Sequence, residues 1–154
     1  MTQLTPEWQA RLQKFLSERI SISVATTSPT GSPRAADVYF VSDDDLNLYF
    51  YSDPASRHSR NIQREPRVAM TARIESMDWH EIRGIQIEGI AEVMDDPEAH
   101  HRAWRLMCDK FPFYESFTDA VARLKMYRVT PHRIRWLDNS VSFGHKEEFE
   151  LGGD

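Results

Sequence analysis

The residues best placed to do chemistry are Ser56, Arg57, His58 and Arg60, followed in the same stretch by Arg64 and Arg67. Ser52-Asp53-Pro54 stops whatever precedes them, Ser56 can cap a helix running to about Arg64, and Pro66 follows its end. A helix N-terminus already offers unpaired N–H groups and a partial positive charge. Further cations at that end are unfavourable for the helix alone. A docked anion, most often a phosphate, accounts for them; a solvated basic surface helix is the other reading. Arg34 opens a strand after a turn. If that strand lies beside the one ending at Tyr51-Ser52, Arg34 could reach the same anion. Its planar guanidinium would bond phosphate with two prongs. Taken alone, it reads as a surface arginine.

Other candidates are polar or aromatic groups that could meet a flat ring. Gln86 sits mid-strand with Glu88 on the same face, and a strand-borne amide can bond the edge of a heterocycle; a solvent-facing residue is the commoner case. Trp136 and the Gly144-His145-Lys146 segment could close over such a ring, although a tryptophan in a strand is more often core. The six histidines lack metal-ligand spacing, His100 and His101 being adjacent on an expected helix, so no metal is expected. No Ser/His/Asp arrangement with a nucleophile signature is present.

The elements that must position these residues follow from periodicity. Thr5 and Pro6 open a helix whose Trp8, Leu12, Phe15 and Leu16 share a face. Alternation then marks strands from Ile20, from Arg34 to Val41, from Leu46 to Tyr51, from Val68 to Ile74, from Ile82 to about Met94, and from Lys125 through Trp136. Gly84 and Gly89 in the fifth point to a bulge or a close approach of backbone. Asp96-Pro97-Glu98 opens a helix that Pro112 ends, and a second spans about Glu115 to Leu124. The polar tail from Asp138 to Lys146 should wrap the surface, and Gly152-Gly153-Asp154 should fray. Six strands in largely meander order, with an early helix and a late helical pair, predict a mainly β (α+β) single domain over 1–154. Its architecture would be a small antiparallel barrel with peripheral helices. No dinucleotide glycine motif or P-loop is present.

The chain has 154 residues, enough for one domain with a real core. A net charge of −5 argues against nucleic acid and membrane surfaces as partners, and makes the basic island around Arg57 stand out. One cysteine excludes an internal disulfide. With no apolar run long enough to span a bilayer and no signal-peptide pattern at the N-terminus, a cytoplasmic location is the expectation by default.

In order, the segments are Ile-Ser-Val-Ala-Thr-Thr, the Gly-Ser-Pro turn, Arg-Ala-Ala-Asp-Val-Tyr and Leu-Tyr-Phe-Tyr-Ser-Asp-Pro-Ala-Ser-Arg-His. Glu-Pro-Arg-Val-Ala-Met and Arg-Gly-Ile-Gln-Ile-Glu-Gly follow. Over about Ile20 to Met94, and more weakly onward to Phe143-Gly-His-Lys, this chain resembles the pyridoxamine-5′-phosphate-oxidase-like family of FMN-binding split barrels. The resemblance implies a six-stranded split barrel that binds FMN, works as a homodimer with flavin sites at the interface, and acts as an oxidoreductase of unassigned small-molecule substrate. It places Arg34 at the family's phosphate arginine, Val38 at its leucine and Tyr39 at its lysine. Ser56 and Arg57 match the second phosphate motif, with His58 where lysine is usual, and Tyr51-Ser52 lie where relatives pass the phosphate and ribityl chain. The family's strand-borne glutamine falls at Gly84, so Gln86 is not its direct counterpart although it faces the same side; Gln86, Trp136 and His145 are the ring-pocket candidates. The substrate-clamping C-terminus of the oxidases that make pyridoxal phosphate is not found, so the resemblance is to a flavin-binding relative and not to that enzyme. The rival reading is a non-catalytic split barrel that carries or senses flavin or another planar ligand such as haem. Loss of both lysines favours this rival; Arg34, Ser56 and Arg57 favour FMN.

Overall fold

Alternation of apolar and polar residues builds the walls of this molecule, as a two-residue period must when one face of a sheet is dry. The computed structural model describes residues 1–152; the fraying expected of Gly153 and Asp154 lies outside them. In chain order the elements are α1 (Pro6–Ser17), β1 (Ser21–Thr27), β2 (Pro33–Tyr39), β3 (Val41–Ser42), β4 (Leu48–Ser52), α2 (Arg57–Arg64), β5 (Arg67–Arg73), β6 (Arg83–Val93), α3 (Pro97–Lys110), α4 (Thr118–Val121), β7 (Lys125–Asp138) and β8 (Lys146–Glu150). Short 3-10 turns lie at Trp79–Glu81 and Pro112–Phe117.

All pairings are antiparallel, in the order β2-β1-β5-β6-β7-β4-β3. The two ends of this path, β2 and β3, are one run of chain bent at Phe40, so the sheet curls back on itself into a split barrel. Beyond β1–β2 the order is not the expected meander, because β5 rather than the next strand takes the second edge of β1. Eight strands replace the expected six. The run expected from Arg34 to Val41 divides at the bend, and β8, which begins at the last residue of the expected surface tail, pairs with the far half of β7 where no strand is expected. β8 carries one buried apolar residue, Phe149, packed on Trp8 at 5.0 Å between ring centres. Its charged neighbours pair across the ladder, Arg133 with Glu150 and Arg135 with Glu148.

The barrel interior is filled by Leu12, Phe15 and Leu16 of α1 against Ile22, Val24, Phe50, Met70, Ile85, Ile87, Val129 and Ile134. Each fully buried side chain of this kind contributes about 1.5–3 kcal/mol. A second cluster lies outside the barrel, where Tyr49 and Tyr51 of β4 meet Ala103, Met107 and Phe111. With Leu48 and Phe50 facing inward and the tyrosines covered by α3, all of β4 is buried. The bend is pinned from outside: Lys110 Nζ donates to the Phe40 and Leu16 carbonyls at 3.1 and 3.4 Å and sits 4.3 Å from the Phe40 ring centre. Burial, reinforced by Arg19, pushes the Lys110 ammonium down to about 8.

The register of β6 on β7 slips between Glu88 and Gly89, leaving His132 as the extra residue next to Pro131, which has no ladder N–H to give. A side chain at Gly89 would stand 2.6 Å from the Thr130 carbonyl oxygen, which is backbone and cannot yield. At Gly84 the nearest contact would be an ordinary 3.4 Å. Gly89→Ala is therefore expected to cost about 1–3 kcal/mol in urea unfolding, with Gly84→Ala well below it. Equal midpoints for the two variants would contradict the close approach.

Candidate functional site

α2 starts where the sequence places a cap. Ser56 has extended backbone, its Oγ accepts from Ser59 N at 3.3 Å and donates to the Asp53 carbonyl at 2.8 Å, and no acidic residue occupies the first turn. Residues 57, 60, 61 and 64 fall at helical spacings that share one face, while Ile62 sinks into the barrel core. That face meets the β1–β2 hairpin. Arg34, Arg57, Arg60, Asn61 and Arg64, with Ser28 and Pro29, line one groove of about 450 Å3. Arg34 pairs in register with Thr26, and its guanidinium reaches only the Pro33 carbonyl, at 3.5 Å. Arg64 donates to the Thr27 carbonyl. Buried Asn61 is tied to buried Thr26 by Nδ2 to Oγ1 at 3.0 Å. No ion pair among the described residues engages Arg34, Arg57, Arg60 or Arg64.

Beside this groove, Ser52, Ser56 and His58 form a small cluster. His58 Nε2 is paired with Ser52 Oγ and lies 3.4 Å from Ser56 Oγ. Burial holds the imidazole below its ordinary pKa of 6.5, so it is neutral at pH 7 and does not carry the charge of the lysine usual at this place in the resembled motif.

The other predicted residues scatter. Val38 packs against the barrel core, and Tyr39 faces outward against Phe111 and Phe113 at 5.3 and 5.7 Å. Five residues of extended strand, roughly 17 Å, separate Arg34 from Tyr39, and an odd separation puts them on opposite faces. Tyr39 therefore does not join Arg34 at one anion; Val38, four residues from Arg34, shares its face but lies roughly 13 Å along the strand and gives its apolar side chain to the core. Nor does Arg34 arrive along a β2–β4 ladder as expected; the hairpin carries it to α2. Tyr51 turns away from Ser52 and lies under α3, its hydroxyl 3.3 Å from His100 Nε2. Trp136 is a core residue, 2% exposed and edge-on to Phe15 at 4.9 Å, and not part of a ring pocket. Gln86 lies on the exposed outer face of β6, in register with Thr71 and Arg135. His145 is bonded to Glu147 at 3.1 Å in the turn before β8. The groove components missed are Ser28, Pro29 and Asn61; for Asn61, its helical spacing from Arg57 and Arg64 was the available signal.

The lowered His58 pKa has a consequence for stability. A base whose folded pKa lies below its unfolded value binds more protons when unfolded, so stability rises with pH across that window. The contribution should be intact above about pH 6.5 and lost as pH falls below it. In urea titrations at pH 7.5 and 5.5, His58→Gln should show a smaller acid loss than the parent chain. An identical loss would remove His58 as the cause.

The family model described as pyridoxamine 5′-phosphate oxidase matches residues 8–138. A pyridoxine/pyridoxamine 5′-phosphate oxidase of Rubrobacter xylanophilus is 30% identical over 93 residues, 60% of this chain but 41% of that protein, so the match spans less than half of the relative. A conserved hypothetical protein of Mycobacterium tuberculosis superposes with a TM-score of 0.75 at 21% identity, over 94% of this chain and 91% of that one. A haem-binding protein from Mycobacterium smegmatis gives 0.76 at 17% identity, over 97% of this chain and 60% of that one. At such identities the two structures share the fold. With the family model covering both halves of the barrel and the split-barrel topology in place, this chain belongs to the pyridoxamine 5′-phosphate oxidase family.

Proposed function

We propose that this chain is a flavoprotein that holds a flavin by its phosphate, FMN being the simplest such ligand, and serves as an oxidoreductase. One observation carries the reading: the capped start of α2 and the β1–β2 hairpin bring Arg57 and Arg34 to one groove with no carboxylate in its lining. Guanidiniums together with helix N–H groups make a phosphate site. The phosphate end thus fits the cofactor, with Arg34 and Arg57 as ligands and the Ser56 turn supplying N–H groups. When bound, the flavin supplies hydride and electron chemistry, and the protein orients it and tunes its electronics. Gln86 lies on an open sheet face beside Thr71, which lines a groove with Ser23, Asp37 and Arg73. That open face favours the homodimer with interfacial flavin sites, in which a second copy completes the ring end.

Two tests follow. Charge-assisted hydrogen bonds contribute roughly 1.5–3 kcal/mol each, so Arg57→Ala and Arg34→Ala should each weaken FMN by about one to two powers of ten. Riboflavin lacks the phosphate and should be nearly unaffected. Equal losses for both ligands in titration calorimetry would displace the phosphate from this groove. For the dimer, light scattering at micromolar concentration should return twice the chain mass; the mass of a single chain would reject it.

A second reading, a haem carrier, has its own support in the fold shared with the Mycobacterium smegmatis haem-binding protein and in the neutral His58. The absorption spectrum of the protein mixed with each ligand separates the two.

A further inference from the structure

The groove presents more guanidinium donors, spread over a greater length, than one phosphate monoester can engage. A monoester offers three terminal oxygens on one phosphorus, whereas the guanidiniums of Arg34, Arg57, Arg60 and Arg64 all line the same cavity. On the sheet, arginines are ion-paired, Arg67 with Glu65, Arg128 with Glu92, Arg133 with Glu150 and Arg135 with Glu148, whereas Arg19, Arg102, Arg105 and Arg123 stand without such a partner among the described residues and are not gathered in one cavity. The four in the groove have no carboxylate partner among the described residues, and none lines the cavity. From Arg57 to Arg64 is seven residues of helix, roughly 10 Å of rise, which is more than one phosphate group can bridge.

Between those ends stands Asn61, 6% exposed, and it lines the groove as well. Its amide is anchored by Thr26, whose hydroxyl can accept from Nδ2 or donate to Oδ1. Either orientation of the amide is thus compatible with the anchor, and the one bonded through Oδ1 frees Nδ2 to donate to an anion. Buried amide, unpaired guanidiniums and an absence of lining carboxylates all favour an elongated anion lying along α2.

We propose that the groove is a diphosphate site. A first phosphate is held by Arg34 and Arg57, a second by Arg60 and Arg64, with Asn61 between them. The inference rests on the phosphate assignment above and sharpens it: the preferred flavin carries a diphosphate, as in the dinucleotide form, and FMN fills half of the groove.

Titration calorimetry with inorganic phosphate, pyrophosphate, FMN and FAD tests this. Pyrophosphate should bind at least tenfold more tightly than phosphate, and FAD at least tenfold more tightly than FMN. Arg60 makes no hydrogen bond or ion pair through its side chain to another described residue, so Arg60→Gln should fold normally, which its urea midpoint checks. It should lower pyrophosphate and FAD affinity about tenfold while leaving phosphate and FMN within twofold. Equal affinities for phosphate and pyrophosphate, or an equal loss for mono- and diphosphates in Arg60→Gln, would overturn the proposal while leaving the FMN reading intact. If neither flavin binds at high micromolar concentration and the pyrophosphate preference is kept and lost with Arg60, the diphosphate groove stands and the flavin reading falls.

Discussion

The bend at Phe40 is the constraint on which the rest depends. One run of chain must serve β1 on one side and β4 on the other, so it has to turn sharply between Tyr39 and Val41. Phe40 sinks fully into the barrel at that point, and Lys110 gathers the Phe40 and Leu16 carbonyls from outside. A buried ammonium is costly unless its donors are satisfied; here two carbonyls and an aromatic face offset the lost hydration. The same lysine therefore ties the end of α1, the barrel corner and the end of α3. With the corner held, β2 lies against β1, and their hairpin is directed across the barrel mouth toward α2. The groove is a consequence of closing the barrel.

Charge placement on α2 then makes sense as a trade between stability and recognition. A first turn with Arg57 and Arg60 and no acid opposes the helix dipole. The compensation is local: the Ser56 cap, the Asp53 turn bonding Ala55 N at 2.8 Å, and Ile62 buried in the barrel. The hydroxyls of Ser52 and Ser56 are already committed, to His58 and to Asp53 with Ser59. These hydroxyls are held within the turn, and the charge that faces the groove is that of the guanidiniums.

Much of this was legible in the sequence where one local rule decided the outcome. The cap at Ser56, the helix to Arg64, the alternating strands and the bulge glycine Gly89 all rest on spacing within a few residues, and the structure has them. The association of Arg34 with Arg57 was also legible, although it comes about through the hairpin and not through a β2–β4 ladder. What was not legible depended on long-range closure. Nothing local announces that the chain bends at Phe40, so the run from Arg34 to Val41 read as one strand. β8 presents one apolar residue among charges, and its pairing depends on Trp8 and on cross-strand arginines more than a hundred residues from α1.

Tyr39 shows how far a motif match can diverge from geometry. Along the sequence it stands five residues from Arg34, where the resembled family has a second phosphate ligand. In the barrel, the strand's two-residue period turns it to the opposite face, and Phe111 and Phe113 give it an aromatic setting. A lysine there would direct an ammonium into that aromatic cluster and away from the groove. His58, the other exchanged position, stays next to the groove but is kept neutral by burial. The two exchanges thus remove charge in different ways, one by direction and one by desolvation. The guanidiniums that line the groove are Arg34 of β2 and, on α2, Arg57 with Arg60 and Arg64 one and two turns beyond it. Positive charge at the groove therefore runs along the helix axis from the Arg34 end and does not extend across to Tyr39 on the strand.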